Sequence, residues 1–285
     1  MITGADGLSP RQAELLKLWL PDAEVVKDHS WGLVGTTVLQ LRSQQGSAYI
    51  AKAGDENDHH VAREINAHRR WLEPWTSIGR APELVAADEE ARLLVAAYLP
   101  GRLVEGTIHE ALPEPYRQAG ELLAVFHGQL ALEDDGGFEA RQKEETLAWL
   151  SRPHRVAPEM AAELAEVIEA WPTSPSVLVP THGDWQPRNW LIQADRVSII
   201  DFGRAELRPA LTDFGRLAAQ QFRTSPEIEA AFLEGYGADP RDPEAWLRLR
   251  IRDAVGTAAW AFKVGDEAYE QQGHRMIAAV LADLR

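Results

Sequence analysis

Residues 181–203, THGDWQPRNWLIQADRVSIIDFG, decide how this chain is read. Asp184 and Asn189 stand five apart in a polar loop, and Asp201 follows twelve residues later at the end of an apolar run. Residues 189–192 and 197–200 have strand composition around Gln193-Ala194-Asp195-Arg196. That pattern predicts a hairpin, which returns Asp201 to the loop holding the other two. A loop carboxylate can orient a hydroxyl and accept its proton, and a carboxylate with an amide oxygen suits a hard cation such as Mg²⁺. Asp184 fits the first role; Asn189 and Asp201 fit the second.

Upstream, Ser9-Pro10 followed by Ala13, Leu15, Leu16, Trp19 and Leu20 predicts a capped opening helix that Pro21 ends. Residues 36–41 and 47–51 flank the turn-like Ser43-Gln44-Gln45-Gly46 and predict a hairpin. Val61, Ile65, His68 and Leu72 share one helical face over residues 58–73. Two more strands, 84–87 and 92–98, enclose Asp88-Glu89-Glu90, and Pro100-Gly101 then punctuates the chain. Beyond it the pattern turns helical. Tyr116, Ala119, Leu122, Leu123, Phe126 and Leu130 recur at intervals of three and four. Residues 176–179 form a short apolar strand, and the chain from about 212 alternates helical patterns with breaks at 237–243. This divides the chain into a β-rich part with one helix, residues 1–98, and a mainly helical part, residues 99–285.

Composition narrows the function classes. With 285 residues, 45% hydrophobic and 26% charged, the chain has an ordinary globular profile. No stretch approaches the apolar length of a membrane helix, and the N-terminus shows no export signal, so a cytoplasmic protein is expected. The absence of cysteine excludes disulfides, thiolate metal sites and cysteine nucleophiles. A net charge of −15 argues against nucleic acid and favours a cationic small molecule as ligand.

The central stretch resembles the catalytic loop and metal segment of the aminoglycoside phosphotransferase and choline kinase family, small-molecule relatives of protein kinases. His182-Gly183-Asp184 with Asn189 matches H-R-D-x-x-x-x-N in offset, and Asp201-Phe202-Gly203 matches the metal motif. The resemblance covers roughly residues 25–220. It implies an α+β, protein-kinase-like bilobal fold, with a small β-rich N-lobe and a larger helical C-lobe. It also implies ATP or GTP and Mg²⁺ as cofactors. Lys52 in AYIAK would hold the phosphates, with Glu64 as its partner. The main chain of Ala96, Ala97 and Tyr98 would meet the adenine. The stretch 30–36, with Gly32, Gly35 and Thr36, stands where the phosphate-covering loop belongs, although it departs from G-x-G-x-x-G. AGELLAVFHGQ, residues 119–129, resembles the core helix of the C-lobe.

A second D-F-G begins at Asp213, after Pro209 and Thr212 and before helical spacing at Leu217, Ala218 and Phe222. An aspartate at a helix start caps backbone N–H groups, so Asp201 is read as the ligand and Asp213 as a cap. His182 is expected to brace the loop, Arg188 to face phosphate, a carboxylate or solvent, and His59-His60 to be surface. Trp185 and Trp260 are candidates for a pocket wall. Among the acidic residues Glu206, Asp253, Asp266, Glu267 and Glu270, Asp253 and Glu267 are the chosen substrate contacts, with Glu206 a further candidate. The function implied is phosphorylation of a hydroxyl on an aminoglycoside-like or other natural-product antibiotic. The alternatives are a metabolite kinase for choline-like compounds, homoserine or amino sugars, and an inactive nucleotide- or ligand-binding regulator. The pattern is silent on oligomeric state.

Overall fold

A computed structural model describes residues 7–30 and 35–284. In chain order the elements are α1 (Pro10–Trp19), β1 (Glu24–Asp28), β2 (Thr36–Arg42), β3 (Ala48–Gly54), α2 (His60–Arg70), α3 (Glu73–Thr76), β4 (Leu84–Asp88), β5 (Leu93–Ala97) and β6 (Arg102–Leu103). There follow α4 (Pro113–His127), β7 (Leu132–Asp134), α5 (Gly137–Leu150), α6 (Pro158–Glu169), β8 (Ser176–Thr181), β9 (Trp190–Gln193), β10 (Arg196–Ile199) and β11 (Glu206–Arg208). The chain ends with α7 (Gly215–Ala219), α8 (Gln221–Thr224), α9 (Pro226–Tyr236), α10 (Pro243–Val264) and α11 (Glu267–Asp283). This is the α+β, protein-kinase-like arrangement: a sheet-bearing N-terminal region followed by a helical one. Among the described residues no helix is long and apolar enough to cross a membrane.

Two compact units share the chain, one made of residues 1–129, 182–206 and 230–237, the other of 130–181, 207–229 and 238–285. The first is built on a five-stranded sheet, β1-β2-β3-β5-β4, antiparallel throughout. Side chains alternate across a strand, and β5 is apolar on both faces because both are covered. Leu93 and Val95 join Leu39, Leu41, Ala51 and Ala53 beneath Leu15 and Leu16 of α1 and Leu20 just after it. Leu94 and Ala96 pack on Val61 and Ile65 of α2. The buried Gln12 of α1 donates from Nε2 to the carbonyls of Gly54 (2.9 Å) and Ala91 (2.8 Å), fixing α1 over the end of β3.

The predicted hairpin at 189–200 is present as β9 and β10, joined by Ala194 and Asp195, both at positive φ (46° and 59°). β6 extends this small sheet, pairing Arg102 with Ile192. Gly101 makes that approach possible: its φ is 148°, and a Cβ there would lie 3.1 Å from the Leu191 Cβ and 3.2 Å from the Ile192 carbonyl oxygen. Gln118 of α4 clamps the hairpin from below, donating to the Asp195 carbonyl (2.8 Å) and accepting from the Val197 amide (3.0 Å). Trp75, Phe126, Trp185, Trp190 and Phe202 form an aromatic core under the loop that starts at His182.

The second unit holds β7, β8 and most of β11 as a three-stranded sheet, with a separate core of Leu164, Ile168, Ile251, Val255, Ile277 and Val280. Asp242 caps α10 by accepting from the Glu244 and Ala245 amides, and Gly265 ends the helix at φ 78°. Asp266 caps α11 through the Tyr269 amide (3.0 Å).

Candidate functional site

Strand alternation sets the site in motion. Ala51 and Ala53 point to α1, so Lys52 between them points to α2, where Glu64 lies on the buried face. Lys52 Nζ lies 2.9 and 2.8 Å from the two Glu64 carboxylate oxygens and 2.9 Å from Asp201 Oδ1. Burial alone would pull the Lys52 ammonium down, but the charges of Asp201 and Glu64 outweigh it and raise it well above its usual range. The Lys52 charge in turn holds the Asp201 carboxyl well below the usual carboxylate range, against desolvation. Burial raises Glu64, with Lys52 opposing the shift. The pair expected upstream is therefore formed, and it reaches the metal motif. Asp201 sits at φ 68°, a left-handed conformation that a non-glycine residue adopts only when its surroundings hold it there.

The loop carrying Asp184 is knitted by its own side chains. Asp184 is buried, its Oδ1 accepting from Gln186 Nε2 (2.6 Å) and its Oδ2 from Arg188 Nη2 (2.7 Å) and Asn189 Nδ2 (3.0 Å). Asn189 Nδ2 also donates to the Asp184 carbonyl (2.8 Å). With its nitrogen committed to Asp184, Asn189 has its amide oxygen left to present to a ligand. Gly183 makes the turn at φ 79°. His182 accepts from the Asp184 amide at Nδ1 (3.3 Å), so Nε2 carries the hydrogen and donates to the Ile200 carbonyl (3.1 Å). That bond ties the loop to the residue before Asp201, the bracing expected of His182. Arg188 faces a carboxylate, that of Asp184.

Mg²⁺ is the metal that the resemblance implies, and the donor set fits it. Asn189 offers an amide oxygen and Asp201 a carboxylate, both hard ligands. Among the described residues no group of three or more histidine, aspartate and glutamate side chains gathers around one point. Two protein oxygens without a full cage suit an ion that completes its sphere with water and phosphate.

Other expected positions fall differently. Gly32 lies outside the described residues. A Cβ on Gly35 would fall 1.8 Å from Asp55 Oδ2, and the Thr36 hydroxyl donates to Asp58, so both are engaged with the turn after β3. The amides of Ala97 and Tyr98 donate to the carbonyls of Glu83 (2.8 Å) and Ala48 (3.0 Å). Both amides are therefore used within the sheet. Trp185 is fully buried, its ring 5.8 Å from Trp75 and 5.4 Å from His182; it is a core residue and not a pocket wall. Asp213 does not occupy the N-cap of α7, which is Phe214 with no side-chain cap bond. It lies buried in the 3₁₀ turn Ala210–Phe214 before that helix.

Glu206 is exposed, 3.9 Å from Arg63. Asp253, Trp260 and Glu267 belong to the second unit. There Asp253 accepts from Arg252 (3.1 Å), Trp260 meets Tyr269 edge-on at 5.9 Å, and Glu267 is exposed in the first turn of α11. Asp266 is a cap, and the buried Glu270 pairs with Arg155 (3.1 Å). His59 is exposed as expected, but His60 is not simple surface: its Nδ1 lies 2.9 Å from the Gly203 carbonyl oxygen. Sequence reasoning also missed Gln186 and Gln118, and it put His68 on the apolar face of α2 without a role at the site. Gln186 carried a signal in its place two residues after Asp184; Gln118 carried none.

Comparison with known proteins bears on the fold and the family. Choline kinase LicA from Streptococcus pneumoniae is similar in structure, with a TM-score of 0.67 at 16% identity over 95% of this chain and 97% of that one. A thermostable mutant of aminoglycoside phosphotransferase APH(4)-Ia, in ternary complex with ADP and hygromycin B, gives 0.70 at 11% identity over 96% and 98%. Macrolide 2'-phosphotransferase MphH from Brachybacterium faecium gives 0.59 at 18% identity over 93% and 97%. At such identities these likenesses establish the fold. The search of curated protein sequences returned no match. The model of the phosphotransferase enzyme family APH matches residues 30–251, a span that includes Lys52, Glu64, Asp184, Asn189 and Asp201. The chain belongs to that family, and it is a small-molecule kinase.

Proposed function

We propose that the chain transfers the γ-phosphoryl group of ATP or GTP to a hydroxyl of a small molecule, first among the candidates an aminoglycoside-like or other natural-product antibiotic. The observation that carries this reading is the loop around Asp184, where three side-chain donors hold one buried carboxylate in a single orientation. Asp184 orients the acceptor hydroxyl and takes its proton as the oxygen–phosphorus bond forms. Lys52, steadied by Glu64, binds the nucleotide phosphates. Asn189 through its amide oxygen and Asp201 through its carboxylate would hold Mg²⁺, which when bound neutralises phosphate charge. Solved relatives with ADP and hygromycin B, and with GDP and kanamycin, support a nucleotide and a hydroxyl-bearing acceptor. A cytosolic setting, where nucleoside triphosphates are supplied, goes with this reading.

A metabolite kinase for choline-like compounds is the second reading, favoured by the likeness to choline kinase. Of the acidic residues chosen to meet a polyamine, Asp253 is already paired with Arg252 and Glu206 lies 3.9 Å from Arg63, while Glu267 stands exposed on α11. An inactive regulator is disfavoured because Lys52, Glu64, Asp184, Asn189 and Asp201 are all present, with Lys52 bonded to Glu64 and Asp201 and Asn189 bonded to Asp184.

A coupled nucleotide-turnover assay with Mg²⁺, run over a panel of antibiotics and small metabolites and read by mass spectrometry, tests the proposal. A product heavier by one phosphoryl group is the expected result, and its identity separates the two readings. Absence of nucleotide binding would remove both.

A further inference from the structure

We propose that His60 is a positioning residue for the metal-holding segment 201–203, which it fastens to α2 through the Gly203 carbonyl. The inference rests on the reading of Asp201 as a ligand of nucleotide-bound Mg²⁺. His60, Glu64 and His68 stand four apart and form one stripe of α2. Each member of the stripe reaches a different residue of the metal motif. His60 Nδ1 is 2.9 Å from the Gly203 oxygen, Glu64 meets Asp201 through Lys52, and the His68 ring stands edge-on to Phe202 at 5.7 Å.

The three ties are not equivalent. A ring contact tolerates sliding, and the Lys52 bond holds the Asp201 side chain rather than its backbone. The His60 bond grips the backbone itself. A carbonyl can only accept, so Nδ1 carries the hydrogen and donates. Gly203 is buried, where a carbonyl without a hydrogen-bond donor is costly, and His60 supplies one. Glycine at 203 also lets the start of α2 come close, since a Cβ there would lie 3.1 Å from the His60 Cβ.

His60 is itself held in place. Asp58 Oδ1 accepts from the Val61 amide (2.9 Å) at the start of α2, and the His59 ring lies 4.4 Å from that of His60. A rigid donor therefore grips the chain two residues after Asp201, whose left-handed backbone needs outside support.

The test compares nucleotide affinity with and without Mg²⁺ by calorimetry in the full chain, which needs no acceptor. His60→Phe keeps a ring against His59 but removes the donor, and His60→Asn supplies a donor without the ring. His60→Phe should lose about 3–10-fold of the Mg²⁺-dependent gain in affinity, the worth of one hydrogen bond, with metal-free affinity unchanged. Amide exchange at Phe202, Gly203 and Arg204 should quicken in metal-free His60→Phe, and His60→Asn should restore both readouts. A wild-type gain and wild-type exchange in His60→Phe, or a His60→Asn no better than His60→Phe, would overturn the assignment. If the unaltered protein binds nucleotide with no Mg²⁺-dependent gain, the kinase reading fails first and this assignment falls with it.

Discussion

Asp184→Asn should lower turnover by about 10²–10⁴-fold and leave nucleotide affinity close to that of the unaltered protein. The shape of the side chain is kept, but an amide cannot take up the hydroxyl proton. Lys52 is oriented by Glu64 and Asp201, and Asn189 keeps its bond to the main-chain carbonyl of residue 184, which the substitution leaves in place. A smaller effect should accompany the loss. Asp184 accepts from Gln186, Arg188 and Asn189, and an amide nitrogen in its place would oppose at least one of these donors. The melting temperature should therefore fall too. Alanine would leave all three donors without their acceptor, so asparagine is the cleaner variant. Steady-state kinetics against calorimetric nucleotide binding reads the separation. Near-normal turnover would remove Asp184 from the base role.

The second large effect separates the two D-F-G copies. Asp201→Asn should abolish Mg²⁺-dependent turnover, whereas Asp213→Asn should leave the Mg²⁺ requirement unchanged and cost about 1–3 kcal/mol of stability, as loss of a buried carboxylate's hydrogen bonds does. Asp201 is half-exposed and touches Lys52, while Asp213 is buried in a 3₁₀ turn. The pH dependence of stability should follow the same logic. Asp201 is shifted downward, so its contribution is present above about pH 4, the unfolded value, and lost as acid protonates the folded form. Lys52 is shifted upward, so its contribution is full below about pH 10.4 and lost only on alkalisation. Asp201→Asn should flatten the acid limb of a melting curve measured against pH. If Asp213→Asn abolishes the Mg²⁺ requirement and Asp201→Asn only lowers stability, the assignment of the two copies is reversed.

The parts of this site that could be read from the chain are those whose chemistry is local. Asp184 and Asn189 share one loop, and the hairpin that brings Asp201 back is set by strand composition. The Lys52–Glu64 pair was legible only through the family resemblance, and strand alternation meeting helical spacing explains why the two side chains meet. Contacts that depend on burial across distant segments were not legible. Nothing about His59-His60 distinguishes the ring that meets Gly203, because the partner is a carbonyl 143 positions away. Trp185 beside the base suggested a pocket wall, yet the loop turns it into the aromatic core under Trp75. Asp213 carried the composition of a cap, but a 3₁₀ turn shifts the start of α7 by one residue and gives the N-cap to Phe214. The main chain of Ala96, Ala97 and Tyr98 was expected to meet adenine, and the strand pattern did not show that the sheet uses the amides of Ala97 and Tyr98.

The two-residue turn of the β9–β10 hairpin has a practical consequence. Ala194 and Asp195 both occupy backbone conformations that asparagine and glycine adopt more readily, and both are exposed. Their side chains do no visible work, since Gln118 grips only the Asp195 carbonyl. Ala194→Asn with Asp195→Gly should therefore add about 0.5–1 kcal/mol, read as a raised melting temperature, without altering any group in the site. A hardened form of the enzyme would keep its chemistry while tolerating the heat, solvent and long incubations that a broad search for its acceptor demands.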